Sequence, residues 1–589
     1  MGKNKAEMKN TTTSKKTDGV DASLSLKFVI PIFFLNLVLQ MAHFFPDLRK
    51  INIWDEAAYI HSGYRLLTTG QLPDLVGSPL SSVLYAGAMM PVFNSPDFFV
   101  LSDALVRILL FTLIFFSAYC VAREMKPYAN PWVMIAFVFI VPIAASMYLF
   151  PSDALFAGFS GLAFSQMLAF YRNGERRHLW WASGLMGLGA LVRAEGLLLV
   201  GVMTIITLTI SLRQRRWGRD LVAVLLPFLV LVGGYIVAHG LATGNYDTGL
   251  SGRTFNNFES GHEVIYSQTG MFTPTISARL ESRDAFGTPE ENKNSVFRAI
   301  SRNPAVYFTR LKHVLPVFWD FAVKAYGNKF LLIFIWLSLR GLIWLIHKRH
   351  LSLALMGVLW FVPLGVGFLN TFFREGYFLM PYFVVFAFSS IGLTAIIHNF
   401  DQKTEQISLG VASLLVLMVA GLLQNTSMVY RSALFIFGMG FLWLTRRWID
   451  DRAAWRTQSF WILLVIGLIM RGSYPSPELP HYGRSDLEKS VYYLQDTLPA
   501  GSHVLAGAPA NIWAARMTYF GINSYDIPNF RDAAEFLEWV QVQDIDAIYV
   551  DEHFPQVHAA LVNELKGEAL QEGFSTPEND IQIFLLNAD

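Results

Sequence analysis

At 589 residues, 53% hydrophobic, 14% aromatic and only 15% charged, the chain is far more apolar than a soluble domain, in which roughly a quarter of residues carry charge. The formal net charge of +1 conceals a split: residues 471–589 hold 18 acidic and 6 basic side chains, net −12, whereas residues 1–470 hold 40 basic and 27 acidic, net +13. The split marks a domain boundary and argues against nucleic acid as a partner, and the single cysteine, Cys120, excludes intramolecular disulfides and cysteine metal clusters.

In chain order, residues 1–26 are polar and lysine-rich and read as a disordered cytoplasmic tail. Apolar blocks follow near 27–45, 98–121, 131–149, 153–171, 179–192, 195–212, 220–239, 328–346, 351–369, 377–399, 407–424, 428–445 and 459–470. A crossing takes roughly 20 apolar residues, so residues 27–472 read as an all-α polytopic membrane module of about 13 transmembrane helices. The first span is its own insertion signal, because no small-residue cleavage site follows it. If the spans alternate, the N-terminal lysines, Arg123/Lys126, Arg172/Arg176/Arg177, Arg213/Arg215/Arg216/Arg219, Lys348/Arg349 and Arg446/Arg447/Arg452/Arg456 share one side. Basic residues are retained in the cytoplasm, which places the N-terminus inside. Outer loops are then expected at 46–97 and 240–327. Residues 473–589, where helical periods alternate with short runs such as HVLAGA and AIYV, read as a small extracytoplasmic α/β domain.

The first outer loop opens with NIWDEAAYIHSGYRLLTTGQLP (52–73). Asp55 is suited to cap a helix, Glu56 to complement its dipole, and Gly70 to end it. Tyr59, Ile60, Gly63, Leu66 and Leu67 form an apolar stripe, as expected of a helix lying in the membrane interface. Other charges stand at the outward ends of spans: Asp103 and Arg107 in FFVLSDALVRILL, Asp153 in YLFPSDALFAGF, Arg193 and Glu195 in GALVRAEGLLL, and Arg374 and Glu375 in TFFREGYFLMP. Charges at membrane depth are costly and mark function by default. Their gathering in one leaflet fits chemistry at the outer surface better than transport, which places charges at the midplane. The competing explanation is structural pairing, Asp103 with Arg107 and Arg193 with Glu195.

The pattern D-E-A-x-Y…L-x-x-G…P, met here at Asp55, Glu56, Tyr59, Leu67, Gly70 and Pro73, resembles the GT-C superfamily of membrane glycosyltransferases. It is most similar to the protein O-mannosyltransferase and aminoarabinose transferase branch. PSDALFA, VRAEGLLL and REGYFLMP follow in the order expected over roughly residues 27–400. The resemblance implies transfer of a sugar from a polyprenyl-phosphate donor to a protein, lipid or glycan acceptor on the outer face. Asp55 would be the base, with Glu56 and Asp153 orienting or polarising. The donor phosphate would fall to Arg374, Arg107, Arg253 and Arg193, since arginine can bind phosphate with two hydrogen bonds. Tyr59, Tyr377 and His262 are candidate pocket residues. The branch usually has a lysine beside a proline in the first outer loop, but here Ser78 precedes Pro79. The arginine of REGYFLMP also stands two residues farther from its tyrosine than usual. No cofactor is firmly implied; a divalent cation, Mg²⁺ or Mn²⁺, would have Asp55, Glu56 and Asp153 as ligands. Two other readings stand beside this one: a transporter or flippase of lipid-linked substrate, and a catalytically degenerate scaffold subunit.

Overall fold

A computed structural model describes residues 29–31, 33–34, 55–73, 75, 77–95, 97–140, 151–212, 215–265, 276–326, 331–372, 375–399, 485–522, 530–551, 554–576 and 581–586. The expected spans at 407–424, 428–445 and 459–470, and most of that at 27–45, lie outside the described residues.

The helical module contains α1 (Asp55–Thr69), α2 (Pro79–Met89), α3 (Phe98–Met125), α4 (Pro131–Ile140), α5 (Pro151–Asn173), α6 (Arg176–Ala190), α7 (Glu195–Ser211) and α8 (Trp217–Thr243). Next come α9 (Leu250–Ser260), α10 (Ile276–Phe286), α11 (Val296–Arg302), α12 (Pro304–Ala325), α13 (Leu331–His347), α14 (Leu351–Leu359), α15 (Val362–Leu369) and α16 (Tyr382–Asn399). Among the described residues, α3, α5, α8 and the Leu351–Leu369 stretch are long and apolar enough to cross a membrane. The chain is an integral membrane protein. α5, with 23 residues, extends about 34 Å, roughly a bilayer core. It is the central helix, with Phe156, Ala157, Ala163, Phe164, Met167 and Phe170 wholly enclosed. α8 is peripheral and presents Leu229, Val230, Val237 and Leu241 outward, as a lipid-facing surface requires.

Alternation along α3 to α8 gathers charges at both ends of the bundle. At the Asn173 end of α5, Arg172 pairs with Glu124 at 2.7 Å. There too the buried Asp220 accepts from Arg176 at 2.8 Å and from the Ser211 hydroxyl at 2.6 Å. At the Pro151 end lie the groups considered as a site. α13 and α16 meet through glycines: a Cβ on Gly392 would meet the Leu337 carbonyl, and one on Gly341 would meet that of Phe388. Small residues at helix contacts permit such backbone approach where lipid offers no hydrophobic drive.

Two smaller bodies sit on the bundle. Helices α9 to α12 fall in the expected outer loop and close over Phe255, Phe258, Phe286, Ala299 and Tyr307. The C-terminal unit comprises α17 (Ser485–Thr497), β1 (His503–Ala506), α18 (Ala510–Ala514), β2 (Thr518–Gly521), α19 (Ala533–Val542), β3 (Ala547–Val550), α20 (Gln556–Leu565), β4 (Leu570–Ser575) and β5 (Gln582–Leu586). Its sheet has the order β2-β1-β3-β5-β4, parallel among β2, β1 and β3 and antiparallel beyond. Alternation splits its core: Leu505, Ile548 and Phe584 pack with Phe536 and Val562 of α19 and α20, and Val504, Ala547, Tyr549 and Ile583 pack with Leu494 and Ile512 of α17 and α18.

Candidate functional site

Asp153 occupies the first turn of α5, where the helix N-terminus favours a negative charge. The α6–α7 bend delivers Arg193 to it. Within that bend the Arg193 N–H bonds the Gly189 carbonyl at 2.8 Å. The close approach of Gly196 to Ala190, where a Cβ would come to 2.6 Å of the Ala190 nitrogen, keeps the bend tight. The Arg193 guanidinium donates through Nη1 to Asp153, and through Nε and Nη2 to the two Glu195 oxygens at 3.2 and 2.8 Å. It also lies 4.7 Å from the centre of the Tyr377 ring. Asp153 and Arg193 are buried, so these charge-assisted bonds act in a medium that screens them weakly. Gly376 abuts the Asp153 carboxylate so closely that a Cβ there would clash with it. Arg253, exposed on α9, is near enough for its charge to act on Glu195. Two carboxylates, two guanidiniums and a tyrosine ring are therefore brought together from four parts of the chain.

Asp103 and Arg107 form a second pair one turn apart on α3, both buried, with Nε to Oδ2 at 2.5 Å. The Tyr85 hydroxyl of α2 donates to the other Asp103 oxygen at 2.9 Å. Both expected pairings, Asp103 with Arg107 and Arg193 with Glu195, are present. The sequence reading missed that Arg193 also takes Asp153 and that Tyr85 braces Asp103. A tyrosine in an apolar helix gives no signal of which carboxylate it meets.

α1 runs from Asp55, the first described residue of this stretch, and the expected capping by the Asp55 side chain lies outside the described residues. The side chains of Asp55 and Glu56, and all of Arg374, lie outside the described residues. Gly70, with φ 70°, ends α1 in the left-handed conformation and its N–H bonds the Leu66 carbonyl at 3.1 Å. Tyr59 and Ile60 are buried, because α1 packs on α2 as well as lying at the bundle end. At Gly63 a Cβ would come within 2.8 Å of the Ala86 nitrogen and 2.9 Å of the Ser82 oxygen. The start of α2 in turn reaches the Arg193 bend, through the Leu80 N–H to the Leu191 carbonyl at 3.0 Å.

The C-terminal unit closes on α1. Trp513 stacks on His61 with ring centres 4.5 Å apart and an 8° interplanar angle. Arg516 donates to the Phe93 carbonyl at 2.8 Å and lies 4.7 Å over the Phe98 ring, and Tyr492 donates to Asp97 at 2.6 Å. Burial, with a smaller contribution from Arg65, lowers the His61 pKa to about 4.

His262 stands apart, buried at a cavity of about 500 Å³ lined also by Glu281, Asp284, Val306 and Thr309. Burial, and then the charge of Arg310, lowers its pKa to about 4. Among the described residues no three His, Cys, Asp or Glu side chains form a metal-binding group. Arg193 already holds one Asp153 oxygen and both Glu195 oxygens.

The described residues form a helical bundle covered at one end by a helical loop body and an α/β unit. The chain is similar over 96% of its length to the crystal structure of ArnT from Cupriavidus metallidurans bound to undecaprenyl phosphate, covering 99% of that chain with a TM-score of 0.50 and 12% identity. The apo form of that ArnT aligns over 95% of this chain and 97% of its own, with the same TM-score and identity. The Archaeoglobus fulgidus oligosaccharyltransferase tethered to an acceptor peptide aligns over 96% of this chain and 74% of its own, at TM-score 0.49 and 10% identity. No protein-family profile and no curated protein sequence matches the chain. The resemblance read from the sequence, to GT-C enzymes of the aminoarabinose transferase branch, is borne out at the level of fold.

Proposed function

We propose that the chain is a membrane glycosyltransferase that moves a sugar from a polyprenyl-phosphate donor to an acceptor hydroxyl or amine at the outer membrane surface. The observation that carries this reading is the gathering of Asp153, Arg193, Glu195, Arg253 and Tyr377 at one end of the bundle. The likeness in fold to an ArnT bound to undecaprenyl phosphate supports it. The Arg172 end, rich in arginine, is assigned to the cytoplasm by the retention of basic residues, which turns the Asp153 end outward.

In the proposed step the acceptor oxygen or nitrogen attacks the anomeric carbon. The bond from that carbon to the phosphate oxygen breaks, and the phosphate leaves with the electron pair. Asp55 takes the acceptor proton, with Glu56 beside it as an orienting group. The departing phosphate needs cations. Arg253, at the exposed edge of the site, is assigned to the phosphate, and Arg193, bonded to Asp153 and Glu195, to the pocket wall. Arg107, likewise committed to Asp103, moves from phosphate ligand to structural brace. Arg374 remains a candidate phosphate ligand from its sequence context.

The test is transfer of radiolabel from polyprenyl-phosphate sugars by the purified protein in lipid nanodiscs. Wild type is expected to transfer, and Asp55→Asn to lose at least about 10²-fold in rate, the scale of general-base removal, while inserting and melting as wild type does. Full activity in Asp55→Asn would remove the base assignment. A wild-type protein that moves intact lipid-linked substrate across vesicles without transferring sugar would replace the enzyme by a flippase.

A further inference from the structure

Arg310, in the second turn of α12, is wholly enclosed. Its guanidinium lies 4.3 Å from the Phe258 ring centre and 5.3 Å from that of Phe286. Nη2 donates to the Phe258 carbonyl at 2.5 Å and to the Thr371 hydroxyl. Among the described residues no carboxylate pairs with it, and Nε and Nη1 lack hydrogen-bond partners. Burial without a counter-charge lowers its pKa to about 9. A buried arginine so placed is expensive to fold, and a packing role could be met by methionine or leucine.

The contacts show what the guanidinium joins. Phe258 and Gly261 belong to the loop body, and Thr371 belongs to the turn after α15, in a left-handed conformation with φ 58°. At Gly261 a Cβ would fall 2.6 Å from Arg310 Nη2 and 2.6 Å from the Thr371 hydroxyl, so the three residues are locked at closest approach. The same helix grips the chain on either side. Tyr307 donates to the Leu369 carbonyl at 2.7 Å, and Tyr326, just past its end, donates to that of Phe378 at 3.0 Å. Between these grips lie Gly376, pressed on Asp153, and Tyr377, faced by Arg193.

We propose that Arg310 is a positioning residue that, through Thr371, holds the turn after α15 so that Gly376 and Tyr377 stay registered against Asp153 and Arg193. The assignment rests on the glycosyltransferase reading for its catalytic meaning and on geometry alone for its mechanical one. α12 then acts as a splint by which the loop body sets the wall of the proposed donor pocket.

The experiment uses the full chain in nanodiscs with Arg310→Lys, and with Thr371→Val, which removes only the acceptor hydroxyl should the lysine variant fold poorly. Hydrogen exchange is read over residues 369–380 and over α5, beside transfer kinetics with a polyprenyl-phosphate sugar. Exchange in 369–380 is expected to rise at least about tenfold with α5 unchanged, and kcat to fall by about tenfold or more, as small misplacements in a site do. Combining Arg310→Lys with Tyr377→Ala is expected to cost little beyond Tyr377→Ala alone, because both act through one wall; simple additivity is the mark of a merely structural role. Unchanged exchange in 369–380 overturns the proposal whatever the chemistry, and raised exchange with wild-type kinetics overturns its catalytic part. A wild-type protein inert towards every polyprenyl-phosphate sugar overturns the transferase reading, while the exchange measurement still decides the splint.

Discussion

Arg193 is the residue on which the candidate site turns, since one guanidinium holds two carboxylates and faces an aromatic ring. A lysine keeps the charge but not the planar fork. Arg193→Lys is therefore expected to leave the protein inserted, to lower its melting temperature, and to reduce transfer by about 10²-fold, as loss of an oriented cationic donor does. Arg193→Met should be worse, leaving Asp153 buried and uncompensated at about 3–5 kcal/mol. Equal melting temperatures for wild type and the methionine variant would show that Asp153 is not ionised in the fold. At Tyr85, Phe removes one bond to a buried charge, a loss of about 1.5–3 kcal/mol, to be read from thermal unfolding. The residues that could be singled out from sequence were those whose charge is out of place in an apolar run: Asp103, Arg107, Asp153, Arg193 and Glu195. Arg310 escaped notice because it sits in a polar stretch where one more arginine is unremarked. The role of Tyr85 depends on a partner 18 positions away.

Among elements, α1 followed from local chemistry, its run of Asp55–Thr69 ended by Gly70. What the stripe of Tyr59, Ile60 and Gly63 left open was its cover, which proved to be α2. The apolar helix at Pro79–Met89 gave no span signal of its own because its 11 residues are too few to cross a membrane. The block at 351–369 has the length and composition of one span, with its helix interrupted between Leu359 and Val362, where Pro363 lacks the N–H a continuing helix would use. β4, LQEGFS, lacks the apolar alternation that marked β1, β3 and β5, and is a strand because β5 pairs with it. The α1–α2 contact offers a test at this scale. Gly63→Val adds bulk where a single Cβ already meets backbone at 2.8 Å; it should cost about 1–3 kcal/mol and displace the helix that carries Asp55 and Glu56. Gly63→Ala, whose Cβ already meets that backbone, should reduce transfer as well, and Gly63→Val should reduce it further. Equal activity in Gly63→Val and wild type would show that α1 need not stay seated on α2.

At the scale of the whole molecule, the abrupt change of net charge foretold a separate C-terminal unit but not where it would sit. Among the described residues its seat includes contacts scattered through the sequence: Trp513 on His61, Arg516 on Phe93 and Phe98, and Tyr492 on Asp97. His61 makes that seat sensitive to pH. Docked, its pKa is lowered to about 4 by burial and by Arg65; undocked, it returns towards about 6.5. The undocked state therefore binds more protons between these values, and docking is favoured at neutral pH and weakened as pH falls from about 6.5 towards 4. The slope can reach about 1.4 kcal/mol per pH unit for one histidine. A fluorophore pair placed across the α1–α18 contact should report separation on acidification, and His61→Phe, which keeps the stack without the proton, should hold the units together to lower pH. Trp513→Ala combined with Arg516→Ala should separate them already at pH 7 and slow transfer without unfolding the bundle, because the helix bearing Asp55 loses its outer support. Persistence of the wild-type signal in that double variant would mean that the C-terminal unit is held by other contacts and that the His61 stack does not govern α1.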